Sequence, residues 1–373
     1  MLIRHANVFV DGGFVRDLEV RVHNGRVQEM GYGLMKGLYE EELDLHGDYL
    51  LPGFVDVHIH AFRRHDTMDG EQAVRGMSRE LFKEGVSAFC PTTMSASVED
   101  TRNAVTGIAR VVERQEIVGS RVLGAHMEAP FLQTSKAGAQ RQEFFMDPSM
   151  AAFEALTGGH TDAVRILTMA PERNGSEAFI REATGKGVVI SIGHTSATAE
   201  QVHQAADWGA NHVTHTFNAQ TALHHRNPGV PGAAMVDDRI YCEMICDGIH
   251  LHGDIVRLLA RTKGAKRAVA ITDAMEAAGM PDGEYALGGQ PVFVKAGEAR
   301  LADGTLAGSV LTMHGALENL IHRFGVVPEE AVQMCTSTPA DSIGEKLAGR
   351  MQPGSPAPLT RWSAEWKWLG ILA

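Results

Sequence analysis

The stretch PGFVDVHIH, residues 52–60, decides the fold. We predict a β-strand over Phe54–His60 within it. Side chains two residues apart point to the same face of a strand, so Asp56, His58 and His60 share one face. Burying such a face inside a barrel would be costly unless a cation organised it. The alternative interpretation of the His-x-His pair is a strand surface that faces solvent.

From this strand onward, strands alternate with helices. The further candidate strands are Ser87–Thr93, Arg121–Met127, Val164–Met169, Val188–Gly193, Asn211–Thr214, Ile240–Cys246 and Arg267–Thr272. The clearest helical stretches are Asp69–Glu84, Val98–Arg114, Ala197–Trp208 and Gly253–Lys263. Eight strands alternating with helices over roughly 220 residues predict an α/β fold, a (β/α)8 TIM-type barrel. A doubly wound open sheet is the alternative, but no glycine-rich dinucleotide fingerprint follows the first strand.

The two chain ends have a different pattern. Short strands are predicted over Leu2–Val10, Leu18–His23 and Arg26–Met30, the last two joined by Asn24-Gly25, a strong hairpin signal. The tail is punctuated by Pro and Gly and ends in apolar residues. We therefore expect residues 1–51 and 349–373 to form one small β-sandwich domain, and residues 52–348 to form the barrel.

Two segments inside the barrel region depart from the alternation of strands and helices. Thr216–Asp238 is less regular and predicts a long functional loop with a weak helix. Glu284–Leu301 alternates apolar and polar residues as an inserted β-hairpin does. Helices are predicted near Thr312–Phe324 and Glu329–Ser337.

Composition narrows the class of protein. The chain has 373 residues, 44% hydrophobic and 21% charged, as in soluble globular proteins. Its net charge of −12 argues against nucleic acid or an anionic membrane as the main partner. No apolar run approaches the ~20 residues of a membrane span, and the N-terminus lacks signal-peptide features. The four cysteines lack metal or redox spacing, which predicts buried reduced thiols and a cytoplasmic location.

Polar residues follow four of the other candidate strands. They are Glu128, His194, His215 and Asp273. Barrel active sites are built at the carboxyl ends of the strands, so these side chains should converge with His58 and His60. Imidazole and carboxylate donors together suit Zn²⁺, Fe²⁺ or a similar transition metal. Each residue alone would be interpreted as a cap or a strand-end hydrogen bond, whereas the joint pattern predicts a metal centre.

Seven motifs in this order resemble the amidohydrolase superfamily and, within it, the N-acetylglucosamine-6-phosphate deacetylase family. They are Pro52–His60, Met127–Phe131, Gly193–Thr195, Thr214–Ala219, Cys246–His250, Thr272–Ala274 and Leu306–Ser309. The His-x-His pair and the final Asp mark the superfamily. Glu128, the His-Thr-Phe-Asn-Ala run and Asp-Gly-Ile-His point to the narrower family.

The resemblance implies one or two divalent metal ions, with Zn²⁺ or Fe²⁺ first. Glu128, His194 and His215 would hold one ion. His58 and His60 would hold a second, with Glu128 bridging and Asp273 nearby. Many superfamily barrels bridge their metals with a modified Lys after strand four, where this chain reads Met169-Ala170-Pro171-Glu172, and this fits Glu128 as the bridge.

The resemblance also implies roles around a phosphosugar. His250 would polarise the substrate carbonyl, and Asp273 would accept and return the proton. Asn218, Ala219 and Arg226 would bind phosphate, with Arg226 reaching across a homodimer interface. Further substrate-binding positions are Ala139, Gln140, Leu306, Ala307 and Gly308. Taken without the resemblance, His250 could be a surface histidine and Arg226 a solvated loop charge. The family commonly has a His where Gln140 stands.

The activity implied is metal-dependent hydrolysis of N-acetylglucosamine 6-phosphate to glucosamine 6-phosphate and acetate, in amino-sugar catabolism and cell-wall sugar recycling. Two alternatives stay open. One is an amidohydrolase acting on a related N-acyl or cyclic amide, and the other is a non-catalytic scaffold with the amidohydrolase fold.

Overall fold

The computed structural model describes residues 1–114 and 119–372. Its strands are β1 (Leu2–Val10), β2 (Gly13–His23), β3 (Arg26–Gly31), β4 (Glu42–Asp44), β5 (Tyr49–Pro52), β6 (Phe54–Ile59), β7 (Ala61–Phe62), β8 (His65–Asp66), β9 (Val86–Thr93), β10 (Arg121–Val122), β11 (Ala125–Glu128), β12 (Val164–Met169), β13 (Val189–Ile192), β14 (His212–Val213), β15 (Tyr241–Ile245), β16 (Ala268–Ile271), β17 (Gly283–Leu287), β18 (Gln290–Lys295), β19 (Glu298–Arg300), β20 (Leu359–Trp362) and β21 (Trp368–Leu372).

The α-helices cover the outside of the parallel strands and fill the connections after them. They are α1 (Glu71–Lys83), α2 (Val98–Glu113), α3 (Met150–Thr157), α4 (Ser176–Gly185), α5 (Ala199–Trp208), α6 (Gly229–Val236), α7 (Gly253–Lys263), α8 (Met313–Glu318), α9 (Pro328–Cys335) and α10 (Ser337–Ser342).

A small sheet brings the two chain ends together. Its strand order is β21-β20-β5-β1-β2-β3, and β4 also pairs with β1. The predicted hairpin is confirmed: Asn24 and Gly25 have φ of 48° and 66°, as a type I′ turn requires, and join the paired His23 and Arg26. The sheet packs its own apolar cluster, which includes Val8, Val20 and Leu359.

The predicted barrel is confirmed. Its parallel strands run in the order β10-β9-β11-β12-β13-β14-β15-β16, with β6 paired to β9. The backbone N–H of Asp273 donates to the carbonyl of His58 at 2.9 Å, which brings the last strand back to β6. Asp56 helps this closure because the Thr272 hydroxyl donates to its Oδ2 at 2.6 Å. Burial raises the pKa of Asp56 to about 7. Its Oδ1 accepts from the backbone N–H of His58 at 3.3 Å, so this carboxyl bonds to Thr272 and to the backbone of β6.

Three of the predicted elements differ locally from those in the structure. The strand expected over Arg121–Met127 is interrupted at Gly124, whose φ of 133° favours glycine, so β10 and β11 are separate. The inserted hairpin has a third strand, and β17, β18 and β19 form an antiparallel sheet. The helix expected over Thr312–Phe324 begins at Met313 and continues past Glu318 as a π-helical turn.

The inserted sheet packs against the barrel through apolar side chains. Tyr285 and Val292 of the inserted sheet pack on Met94 and Met275, at the barrel mouth. The four cysteines are buried and unpaired, as predicted. In the part of the chain that the structure describes, no helix is long and apolar enough to cross a bilayer.

Candidate active site

Six ionisable side chains converge at the carboxyl ends of the barrel strands. They are His58 and His60 from β6 and its end, Glu128 at the end of β11, His194 after β13, His215 after β14 and Asp273 after β16. Each is at most 8% exposed. The structure thus brings together the full set predicted to bind metal.

The backbone is strained where three of these residues leave their strands. His194, His215 and Asp273 have φ of 46°, 28° and 49°, in the left-handed region that non-glycine residues rarely adopt. Ala129, directly after Glu128, has φ of 91°. Such conformations cost on the order of 1–3 kcal/mol each and cluster at functional sites. The turns direct the side chains into the barrel mouth instead of continuing the strand.

Glu128 is the centre of the cluster. Its Oε1 lies 3.2 Å from Nε2 of His194 and 3.0 Å from Nε2 of His215. The Nε2 atoms of those two histidines are 3.1 Å apart. The other carboxylate oxygen, Oε2, lies 3.2 Å from Nε2 of His60. Oε1 therefore faces His194 and His215, with Nε2 of His58 farther away at 3.7 Å, and Oε2 faces His60.

The second group is completed by Asp273. Its Oδ1 lies 3.4 Å from Nε2 of His58 and 3.2 Å from Nε2 of His60. We call Glu128, His194 and His215 the first subsite, and His58, His60 and Asp273 the second subsite. Within each subsite the candidate ligand atoms lie within 4.8 Å of one another.

The geometry fits metal ions. Donors about 2.0–2.2 Å from a tetrahedral Zn²⁺ stand roughly 3.3–3.6 Å apart, close to the separations in both subsites. In three of the histidines, the other ring nitrogen, Nδ1, is held by a protein oxygen. Nδ1 of His58 lies 2.9 Å from Glu243. Nδ1 of His60 lies 3.2 Å from the Thr92 carbonyl, and Nδ1 of His194 lies 2.8 Å from the Lys136 carbonyl. These contacts direct Nε2 of each ring toward the subsites. His58 Nε2 is buried and makes no hydrogen bond, as expected of a ligand atom.

Charge at the site is balanced by protons when no cation is bound. Burial lowers the pKa of His60, but Asp273 and Glu128 raise it more, to about 9. Burial also lowers the pKa of His58. Three carboxylates outweigh this effect and raise that pKa well above its usual value; they are Asp273, Glu243 and Glu128. Burial raises the pKa of Asp273, but His58 and His60 outweigh it and lower that pKa to about 2. A divalent ion would replace the histidine protons.

A polar layer beneath the two subsites was not predicted. Glu243 lies in the middle of β15 and contacts His58, and His126 and His212 lie beside it. The signal available in the sequence was one acidic residue inside the apolar strand Tyr241–Ile245. His126, His58 and Glu243 form a third cluster with ligand spacing. His126 is already engaged, because Nε2 bonds to Thr168 at 2.7 Å and Nδ1 to the Val57 carbonyl at 2.9 Å.

A cavity of about 510 Å³ opens over the two subsites. Its lining contains the predicted positions Ala139, Gln140, Asn218, Ala219, His250, Leu306 and Gly308. Ala307 is fully buried behind this wall. Lys136, Arg300 and Thr305 also line the cavity and were not anticipated. Arg300 ends β19, so the inserted sheet supplies part of the wall.

His250 and Gln140 are both fixed by neighbours. Asp247 accepts from the His250 backbone N–H at 2.9 Å, and its Oδ2 lies 2.7 Å from Nδ1 of the ring. Burial lowers the pKa of His250, but Asp247 raises it above its usual value. Gln140 Oε1 accepts from the Ser95 N–H at 2.7 Å, and its Nε2 donates to Glu128 Oε2 at 2.7 Å. Gln140 thus contacts the central carboxylate as well as the cavity.

Arg226 is not brought to the cavity of its own chain. It is exposed and bonds to Nε2 of His225 at 2.8 Å, in the loop before α6. The structure therefore unites the two subsites with His250 and the cavity wall, and leaves this arginine on the outer surface.

Solved structures and known sequences similar to this chain cover nearly all of it. A deacetylase from Lysinibacillus sphaericus, named for N-acetylglucosamine 6-phosphate, is 35% identical over 95% of this chain and 91% of its own. A deacetylase from Escherichia coli O157:H7, named for N-acetylgalactosamine 6-phosphate, is 33% identical over 95% of this chain and 93% of its own.

Among solved structures, a mutant N-acetyl-D-glucosamine-6-phosphate deacetylase from Mycobacterium smegmatis, in complex with N-acetyl-D-glucosamine-6-phosphate, has a TM-score of 0.91. It is 30% identical and the match covers 100% of this chain and 97% of that one. The sequence model of the Amidohydrolase family matches residues 49–369. With the barrel, the ligands at its strand ends and this match over most of its length, the chain belongs to the amidohydrolase family.

Proposed function

We propose that this protein hydrolyses N-acetylglucosamine 6-phosphate to glucosamine 6-phosphate and acetate in a metal-dependent reaction. The observation that carries the proposal is Glu128, whose carboxylate lies among four histidines, with Oε1 nearest His194 and His215 and Oε2 nearest His60, under a cavity of about 510 Å³. That volume suits a small ligand such as a phosphosugar. The similarity to deacetylases of amino-sugar phosphates along 95% of the chain gives the substrate class.

The metal-binding residues would be shared between two ions. Glu128, His194 and His215 would hold one in the first subsite, and His58, His60 and Asp273 the other in the second. Imidazole nitrogens and carboxylate oxygens favour Zn²⁺ or Fe²⁺ over Ca²⁺ or Mg²⁺. A bound divalent ion supplies Lewis acidity and makes water a stronger acid near neutral pH.

The reaction needs a proton to move from water to the leaving nitrogen. Asp273 is buried, lines the cavity and has a carboxylate kept ionised at neutral pH. It would accept a proton from the attacking water and return it to the amine, which is a poor leaving group until protonated. His250 would donate from Nε2 to the oxygen of the acetyl group, because its Nδ1 is held by Asp247.

The phosphate would lie at the opposite end of the cavity. Asn218 and Ala219 line the cavity and would contact the phosphate; the backbone N–H of Asn218 already donates to the His215 carbonyl at 2.9 Å, so Ala219 would supply the backbone N–H. The exposed position of Arg226 favours a role for this side chain in the cavity of a second copy, so we propose a homodimer in which Arg226 crosses the interface. Guanidinium groups bind phosphate through paired, charge-assisted hydrogen bonds. The buried thiols fit a reducing compartment, and we propose a cytoplasmic location.

N-acetylgalactosamine 6-phosphate is the second candidate substrate, because the relative from Escherichia coli O157:H7 is named for it. The two sugars differ in the configuration of one hydroxyl group, at C4. Both reactions use the same acetyl amide and the same phosphate, so the metal-binding residues do not distinguish them.

The test is acetate release from four sugars: both N-acetylhexosamines, each with and without the 6-phosphate. We expect kcat/KM to be highest for N-acetylglucosamine 6-phosphate and to fall sharply when its phosphate is absent. A higher value for the galactosamine compound would replace the substrate. Failure to release acetate from any of them, by protein with metal bound, would contradict the deacetylase function and favour a scaffold or another amide.

A further inference from the structure

Glu243 makes one contact with each subsite through a single oxygen. Its Oε2 lies 2.9 Å from Nδ1 of His58, whose ring belongs to the second subsite. The same oxygen accepts from the backbone N–H of His215 at 2.9 Å, and His215 belongs to the first subsite. Glu243 is fully buried in the middle of β15 and touches neither the cavity nor a substrate position.

The surroundings of the buried Glu243 carboxylate also single out its contact with His58. Three histidines face this carboxylate, namely His58, His126 and His212. Nδ1 of His212 lies 3.5 Å from Glu243 Oε1, whereas Nδ1 of His58 lies 2.9 Å from Oε2. A buried carboxylate is costly without a positive partner. The shorter of these two contacts is the one to His58, the ring that leads to the second subsite.

We propose that Glu243 is a positioning residue that couples the two subsites. It holds the His58 ring with Nε2 toward the second subsite, and it fixes the strained backbone where His215 leaves β14. A carboxylate behind a metal-bound histidine also raises the basicity of that ring, which strengthens its bond to the metal. The inference rests on the metal-dependent function proposed above and adds a residue that contacts neither metal nor substrate.

The surrounding layer supplies a matched control. Thr168 belongs to the same buried layer, where its hydroxyl bonds to His126 and, at 2.7 Å, to Thr214. It is fully buried, as Glu243 is, and its backbone pairs with Glu128 across β11 and β12, but its hydroxyl bonds to His126 and Thr214 and not to a side chain of either subsite. Thr168→Val removes both of these buried hydrogen bonds at nearly constant volume. Any effect of general damage to the layer should appear in this variant too.

The experiment measures Zn²⁺ binding to metal-stripped protein by competition with a chelator, together with the rise in Tm on adding Zn²⁺. Glu243→Gln keeps the volume and one acceptor oxygen but loses the charge. We expect its Zn²⁺ affinity to fall about 10- to 100-fold, with a smaller rise in Tm. Thr168→Val should lower the Tm of the metal-free protein and retain the parental Zn²⁺ affinity.

Parental Zn²⁺ affinity in folded Glu243→Gln would overturn the inference, as would an equal loss in Thr168→Val. If Glu243→Gln does not fold, as judged by circular dichroism, Glu243→Asp decides by the same criterion, because its shorter side chain withdraws the oxygen from both contacts. If the parent protein itself binds no Zn²⁺ or Fe²⁺, the proposed function fails, whatever the variants do.

Discussion

Removing the carboxylate of Glu128 should lower the metal affinity of the first subsite more than that of the second. In Glu128→Ala the first subsite retains only His194 and His215 of its three donors, whereas the second subsite retains His58, His60 and Asp273. Structural Zn²⁺ sites with four ligands bind with about 10–16 kcal/mol. One ligand is then worth roughly 2.5–4 kcal/mol, or about 10²- to 10³-fold in affinity.

The expected result is a loss of affinity at the first subsite by that factor, and a smaller loss at the second. After equilibrium dialysis against submicromolar free Zn²⁺, elemental analysis should find at most one ion per chain in Glu128→Ala. His58→Ala is the matched variant, because it removes a donor from the second subsite and leaves the first complete. It should also retain one ion, but a tightly bound one.

Two observations would refute this reasoning. Two ions per chain with parental affinity in Glu128→Ala would show that this carboxylate does not bridge. Complete metal loss in His58→Ala would show that the two groups of ligands form one site and not two. Circular dichroism of the metal-free variants distinguishes metal loss from unfolding.

Three further predictions follow from the site. Asp273→Asn keeps the side-chain shape but cannot accept a proton, so kcat per metal-loaded site should fall about 10²- to 10⁴-fold; turnover within a few-fold of the parent would move the proton transfer to another residue, with His250 next. Arg226→Ala should raise KM for the phosphorylated sugar roughly 10- to 150-fold, the value of a charge-assisted contact of about 1.5–3 kcal/mol, and hardly change the unphosphorylated one; equal losses on both would assign Arg226 to the fold or the interface. Because the pKa of His60 is raised to about 9 without metal, this group stabilises the metal-free protein below about pH 6.5, and that contribution is lost as pH rises through 9. Metal must displace its proton, so Zn²⁺ affinity measured by titration should rise with pH between about 6.5 and 9, and a flat profile would contradict the charge balance.

The sequence was sufficient for the barrel and for the convergence of polar side chains at its strand ends. Strand and helix periods repeat regularly from Phe54 to Ile271, and polar residues at strand ends are expected to meet at one mouth. The contact of Glu243 with His58 could not be predicted, because the two residues lie 185 positions apart in the sequence. Only the closed barrel brings them within 2.9 Å. The hydrogen bond from Gln140 to Glu128 depends on the path of a loop, and a loop lacks the periodic pattern of apolar residues from which strands and helices are predicted.

The small sheet has a consequence for how the chain is made. Strand β5 pairs with β20, and Arg361 bonds to Asp48, 313 positions earlier, at 2.7 Å. During synthesis the N-terminal strands therefore leave the ribosome with one edge open, and that edge stays open while the whole barrel is translated. An unpaired strand edge is a template for pairing with other chains. Chains that stop before Leu359 would keep this edge permanently, so nascent or prematurely ended copies are the ones most exposed to aggregation and to capture by chaperones.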